Sequence, residues 1–156
     1  MNQQNIGERV MRNCTYFVFG AVLILLSNHL QAHHGDAGRF EEEVITLSGT
    51  VVVLQLKNPH SIIIVDVESE SGVVERWQAE VGSVSQLTNN FGWNRNTIKP
   101  GDRIAVTGRQ VKSGAPYINL SEQARIVIIN TCAEIYHSSS AFGGVPPDTP
   151  IPDCPN

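Results

Sequence analysis

The sequence predicts an all-β fold: a small OB-like barrel of five strands with one short helix between strands three and four. Three observations predict it. Short β-branched and apolar segments alternate with turn residues along the chain. A segment of helical character follows the third of them, and the first is long and contains a glycine, which lets a strand bend around a barrel. A small sandwich or an open meander has a similar periodicity and stays an alternative.

Three strands precede the helix. The first covers residues 44–56, and Gly49 within it predicts a bend or a bulge. Asn58-Pro59 ends this strand, because proline cannot donate a hydrogen bond to the ladder. The second strand is predicted at 62–67 and the third at 73–81, with a polar turn between them.

The predicted helix is short. Ser83 and Gln86 have the spacing of a capping box, in which side chains satisfy free N–H groups at a helix start. The helix covers residues 84–90 and is closed by Gly92.

Two further strands complete the predicted barrel. The turn at residues 99–102 precedes the fourth strand, 103–107. A loop then leads through Tyr117-Ile118 to a final strand at 125–129. Residues 44–130 therefore form the predicted OB-like β-domain.

Residues 1–32 have the composition of a secretion signal peptide. Arg9 and Arg12 supply its basic start, and a short apolar run and a polar close ending at Ala32 follow. The run is about half the ~20 residues that a membrane-spanning helix requires. We therefore expect a periplasmic or secreted protein with no membrane span after signal cleavage.

The cleavage position decides whether two histidines remain in the exported chain. Cleavage after Ala32, which we favour, makes His33 the first residue. Cleavage after Ala37 fits the preference for small residues better but removes both His33 and His34.

Two segments flank the predicted domain. Residues 33–43 are polar and predict a flexible lead-in, and residues 131–156 predict an extended Pro-rich tail. Cys132 and Cys154 are an even pair in an exported chain, which predicts a disulfide. Two free thiols are the alternative.

The charge balance argues against two classes of partner. Residues 33–156 carry nine basic and fourteen acidic side chains, a net charge of −5. Nucleic-acid binding gains from counterion release only when the protein is basic. We therefore expect neither nucleic acid nor an anionic membrane surface as a partner.

His33 and His34 are the candidate metal ligands. An amino-terminal His33 offers its free amine and its imidazole on one short tether, and imidazole suits copper, zinc or nickel. His34 points to the opposite side in an extended chain, so it joins the same ion only if Gly35 lets the segment turn. The alternative is two solvated histidines beside a protease site.

A second candidate binding site comprises His60, Glu80 and Trp93. A hairpin of strands two and three puts Ser61 opposite Glu80 and His60 at the same end of the sheet. A histidine near a carboxylate serves as an oriented ligand or a base. The alternative is a turn histidine that satisfies backbone groups. We expect Trp93 to be partly exposed and Trp77 to lie in the core.

Six short motifs occur in a fixed order. They are Ala32-His33-His34, Gly49-Thr50-Val51, Asn58-Pro59-His60-Ser61, Trp77 with Glu80, Gly92-Trp93 and Lys99-Pro100-Gly101-Asp102. Together they resemble the motifs of a family of exported bacterial proteins of unknown function. The resemblance covers residues 32–128 and implies export and a small β-domain, but no activity. Gly35 stands where members typically have serine, and the tail with its cysteines is additional.

These observations favour an exported, non-catalytic binding domain with a transition-metal ion, copper or zinc, at His33. The alternative is a periplasmic interaction module that docks a partner protein by a barrel face or strand edge near His60. An enzyme with His60 as its base is a third hypothesis. Ser61 directly follows His60, and adjacent residues do not form a nucleophile–base pair; the sequence also has no Ser-centred Gly elbow.

Overall fold

The computed structural model describes residues 38–138 and, in the tail, residues 144, 145, 149, 151 and 154. The predicted signal peptide and His33 and His34 lie outside these residues. The elements in chain order are β1 Phe40–Gln55, β2 Ser61–Glu68, β3 Val74–Val81, α1 Val84–Phe91, β4 Arg103–Val111, β5 Tyr117–Asn119, β6 Arg125–Ile128 and β7 Ala133–His137.

The long strand β1 closes a barrel because it pairs with two neighbours. From Phe40 to Thr50 it pairs antiparallel with β4, and from Thr50 to Gln55 it pairs antiparallel with β2. The ring then runs β1–β2–β3–β5–β4 and back to β1, with β3 and β5 parallel. This closed, mixed, five-stranded barrel with a helix between β3 and β4 confirms the predicted fold class.

Gly49 lies where β1 passes from one partner strand to the other. A Cβ atom at this position would stand 2.5 Å from the carbonyl oxygen of Asp66 and 2.6 Å from Cγ1 of Val65. The register with β2 shifts between Val51 and Val53, which marks a β-bulge. The predicted bend of the first strand is therefore confirmed, and close backbone approach explains the glycine.

The first strand begins at Phe40, four residues earlier than predicted. Phe40 is buried, whereas the three glutamates after it are exposed. Three consecutive glutamates are typical of a solvated loop, so the start of the strand was not predicted here. Residues 40–43 of the predicted lead-in therefore belong to β1.

The fifth barrel strand is β5, and not the segment 125–129 that the sequence suggested. β5 has three residues, too few to show a period of two. It pairs with Arg109 and Gln110 at one end of β4, while β6 pairs with Ile104–Thr107 farther along the same edge. β6 therefore extends the sheet beyond the closed ring.

The segment after residue 130 contains a strand that the tail composition did not indicate. β7 pairs antiparallel with β6, which corrects the prediction of a wholly extended tail. The disulfide between Cys132 and Cys154 is confirmed, with 5.7 Å between the two Cα atoms. Arg125 also donates a hydrogen bond to the carbonyl oxygen of Thr149. These contacts join Thr149 to β6 and Cys154 to the turn between β6 and β7.

Both faces of β4 and β6 are buried. Val106 and Ile126 belong to the barrel core, and their neighbours Ala105 and Val127 are buried on the opposite face. Arg125 pairs with Thr107 on this second face, so its contact with Thr149 places part of the tail there.

The helix α1 forms as its caps predict. The Ser83 hydroxyl accepts a hydrogen bond from the backbone N–H of Gln86, and Gly92 ends the helix with φ 68°. Leu87 is fully buried in the barrel core. One apolar anchor and two caps thus fix this eight-residue helix.

Candidate functional site

The site begins where β2 starts and β3 ends, side by side at one end of the barrel. Glu80 on β3 pairs with Ile62 on β2, and Ser61 pairs with Val81. The register therefore differs by one residue from the predicted pairing of Ser61 with Glu80. His60 directly precedes β2 and still lies beside Glu80.

His60 and Glu80 are in contact. Nδ1 of His60 lies 2.6 Å from Oε1 of Glu80, and the side chains are 56% and 19% exposed. A carboxylate only accepts hydrogen bonds, so Nδ1 is the donor and Nε2 is the unprotonated nitrogen of the neutral ring. Within the described residues no group hydrogen-bonds to Nε2. The proximity that the hairpin argument predicted is thus confirmed, and the predicted binding role stays a prediction.

Tyr117 is the third member of the cluster, and the sequence analysis missed it. Its hydroxyl donates a hydrogen bond to the second carboxylate oxygen of Glu80. Tyr117 reaches this position because β5 pairs in parallel with β3, with Tyr117 beside Gln78. The contact of Tyr117 with Glu80 could have been predicted only if β5 had been recognised as a strand beside β3.

The start of β1 packs against the same tyrosine. The rings of Phe40 and Tyr117 are stacked, with centroids 6.2 Å apart and planes inclined by 21°. The guanidinium of Arg39 lies 5.3 Å from the Phe40 ring and 5.5 Å from the Tyr117 ring, within cation–π range. A curled β1 thus brings its first residues to the cluster of His60, Glu80 and Tyr117, which we call the His60 cluster.

Trp93 does not belong to this surface, and the expectation that it is partly exposed is wrong. Its side chain is 2% exposed, and its indole N–H donates to the carbonyl oxygen of Ile135 at 2.8 Å. The polar residues after Trp93 suggested a surface position, but β7 covers it. Trp77 is buried, as expected.

A second histidine–carboxylate pair lies on β7. Nδ1 of His137 is 3.0 Å from Oε1 of Glu134, with side chains 60% and 45% exposed. The His137 ring also packs edge-on against Phe91, at 5.4 Å. Among the described residues, no group of three or more histidine, cysteine, aspartate or glutamate side chains is arranged to hold a metal ion.

A concave surface lies at the opposite end of β2 and β3. It encloses about 700 Å³ and is lined by residues that include Ser48, Asp66, Glu68, Val74 and Arg103. The Ser48 hydroxyl oxygen is buried there without a hydrogen-bond partner in the described part of the chain.

Hydrogen bonding and burial shift the pKa values of Asp66 and Tyr136. The Arg76 guanidinium donates hydrogen bonds to Asp66 and holds the pKa of that carboxyl below its usual value. Burial raises the pKa of the Tyr136 phenol to about 12.

The fold and the cluster together define a small, disulfide-bonded β-barrel domain with a surface imidazole held by a carboxylate. The chain belongs to a family of unknown function, DUF6152, whose model matches residues 22–117. The matched range ends at Tyr117, so β6, β7 and the disulfide lie beyond it. No curated protein and no solved structure matches the chain. Within the described residues, no helix has the length and apolar character needed to cross a membrane.

Proposed function

We propose that the chain is an exported, non-catalytic binding domain that holds a transition-metal ion, copper or zinc, through histidine imidazoles. The observation that carries the proposal is the contact between His60 and Glu80. Histidines that bind metals typically donate their other ring N–H to a carboxylate or a carbonyl, which leaves one nitrogen as the ligand. In the neutral ring of His60, Nδ1–H faces Glu80 and Nε2 is the nitrogen left to act as a ligand.

The amino-terminal histidine is a second candidate ligand, at a place in the chain separate from His60. After cleavage at Ala32, His33 combines an amine and an imidazole, both of them donors for copper or zinc. His34 is the candidate additional ligand beside it. Because both residues lie outside the described part of the chain, their role rests on the sequence.

Export is supported by the disulfide. Bridges such as Cys132–Cys154 persist in oxidising compartments and are rare in the cytosol. The signal-like composition of residues 1–32 agrees with this location.

The hydroxyl next to His60 in the sequence is not placed to act as a nucleophile. The neighbouring hydroxyl, that of Ser61, is fully buried and directed to the carbonyl oxygen of Lys57 at 3.4 Å. It is therefore not accessible to a substrate at the surface.

Metal titration of the processed, exported protein tests the proposal. We expect His60→Ala to weaken copper or zinc binding at the barrel by roughly tenfold or more, and His33→Ala to weaken binding at the amino terminus to a similar degree, since each removes a ligand. His137→Ala is the matched control, because His137 is similarly exposed and also paired with a glutamate, but its ring packs edge-on against Phe91. Tight binding that survives both test substitutions would overturn the proposal, as would an equal loss in His137→Ala.

A protein-interaction module is the second candidate function. Val73 and Val74 are 65% and 58% exposed, and they are the exposed large hydrophobic residues of the described part of the chain. They stand at the turn between β2 and β3, beside the concave surface, and not near His60. In a cross-linking experiment in the native compartment, Val74→Ser should then lose a partner that His60→Ala retains.

A further inference from the structure

We propose that Tyr117 is a positioning residue for His60. Its hydroxyl fixes the Glu80 carboxylate, and Glu80 in turn accepts a hydrogen bond from Nδ1–H of His60. In the neutral ring, Nε2 then carries the free electron pair that could bind a metal ion. The consequence for metal affinity rests on the proposed function, whereas the effect on the imidazole does not.

Glu80 needs a second anchor to hold the ring in one orientation. The last torsion of a glutamate side chain has broad, roughly two-fold preferences, so one hydrogen bond does not fix the carboxylate plane. In this structure both oxygens are engaged, Oε1 with His60 and Oε2 with Tyr117. Two anchors on one carboxylate define its plane and thus the direction in which it accepts from His60.

Neighbouring residues hold both the backbone and the ring of Tyr117 in place. Its backbone lies in β5, in parallel register with Gln78 of β3, the strand that carries Glu80. Phe40 stacks on its ring, and the Arg39 guanidinium lies over both rings. The hydroxyl therefore has a fixed position relative to the carboxylate.

This arrangement selects one tautomer of the neutral imidazole. The hydrogen bond that one ring nitrogen makes decides which nitrogen is protonated. With Glu80 fixed, the Nδ1–H form of His60 is favoured and Nε2 carries the free electron pair. The second pair, His137 with Glu134, serves as an internal reference, because no tyrosine hydroxyl among the described residues hydrogen-bonds to Glu134, which is 45% exposed.

Tyr117→Phe removes the hydroxyl and keeps the aromatic ring, so it tests the hydroxyl alone. The substituted ring keeps the stacking with Phe40 and the contact with Arg39. In ¹⁵N NMR of the metal-free protein, at a pH where histidines are neutral, we expect wild-type His60 in the Nδ1–H form. Tyr117→Phe should shift it to a mixture of both tautomers and leave His137 unchanged. Copper or zinc affinity should fall roughly tenfold, the usual effect of losing such a supporting hydrogen bond.

Tyr136→Phe is the matched control, because it removes a buried hydroxyl that donates to a backbone carbonyl, that of Leu120, and not to the Glu80 carboxylate. An unchanged His60 tautomer in Tyr117→Phe would overturn the positioning role. An equal shift in Tyr136→Phe would also overturn it, since general loosening would then be the cause. If the tautomer shifts as expected but the wild type binds no metal, the positioning role stands and the proposed function is wrong.

Discussion

The indole N–H of Trp93 donates a hydrogen bond to the carbonyl oxygen of Ile135 at 2.8 Å. This contact joins the segment after α1 to β7, across 42 positions of the chain. Trp93 also packs edge-on against Tyr136, with ring centroids 6.3 Å apart. β7 is therefore part of the core around Trp93 rather than an appendage of the tail.

Replacing Trp93 with phenylalanine should destabilise the fold. The change leaves a cavity and a buried carbonyl oxygen without its donor, so we expect a loss of about 2–4 kcal/mol in the free energy of unfolding. Urea unfolding followed by circular dichroism measures it. Trp77→Phe is the control, because the N–H of Trp77 donates to the exposed Glu75. Equal losses in both variants would contradict the importance of the contact with Ile135.

Removing the disulfide should lower the stability of the protein without unfolding the barrel. The bridge joins residues 22 positions apart, and in the chain-entropy model its loss costs about 3 kcal/mol. We expect the double variant Cys132→Ser, Cys154→Ser to unfold at lower urea concentration while it keeps its β-sheet spectrum. Reductant should lower the stability of the wild type to that of the variant. A wild type that is insensitive to complete reduction would refute this expectation.

A methyl group at Gly49 should be costly, since it would meet the carbonyl oxygen of Asp66 at 2.5 Å. The backbone of β2 must move to admit it, so we expect Gly49→Ala to lose about 1–3 kcal/mol in thermal or urea unfolding. Gly144→Ala is the matched control, because no atom lies within 4 Å of a Cβ built there. Comparable stability of the two variants would show that β1 does not need a glycine where it changes partners.

Alkaline pH should destabilise the protein through Tyr136. Burial raises the pKa of this phenol to about 12, above the value of about 10 for an unfolded chain. Its contribution to stability is therefore complete below about pH 10 and is lost as the pH rises through about 12. An absorbance titration of phenolate formation should lose its latest step in Tyr136→Phe. If the absorbance titration of Tyr136→Phe keeps its step at the highest pH, the phenol that ionises last is not Tyr136.

Local signals predicted the elements whose determinants lie within a few residues of each other. The caps Ser83 and Gly92 set the limits of α1 to within one residue, because they satisfy the backbone groups of that helix alone. The same holds for β2 and β3, whose turn at residues 68–72 is polar and short. The hairpin even placed His60 beside Glu80, although its register differs by one residue.

The missed parts of the candidate site depend on contacts between distant segments. β5 has three residues and pairs in parallel with β3, so no period of two marks it and no hairpin turn joins it to β3. Tyr117 therefore carried no sign of its contact with Glu80. The burial of Trp93 depends on β7, which the polar and proline-rich composition of the tail concealed.

The sequence by itself determined the series of strands, the single helix with its caps, the glycine in the first strand and the cysteine pair. These features follow from backbone geometry and side-chain chemistry over short distances. Only the tertiary structure decided which short strand completes the barrel, which tryptophan is covered and that Tyr117 joins His60 through Glu80. Those outcomes depend on which distant segments pair, because strand pairing buries side chains that no local pattern identifies.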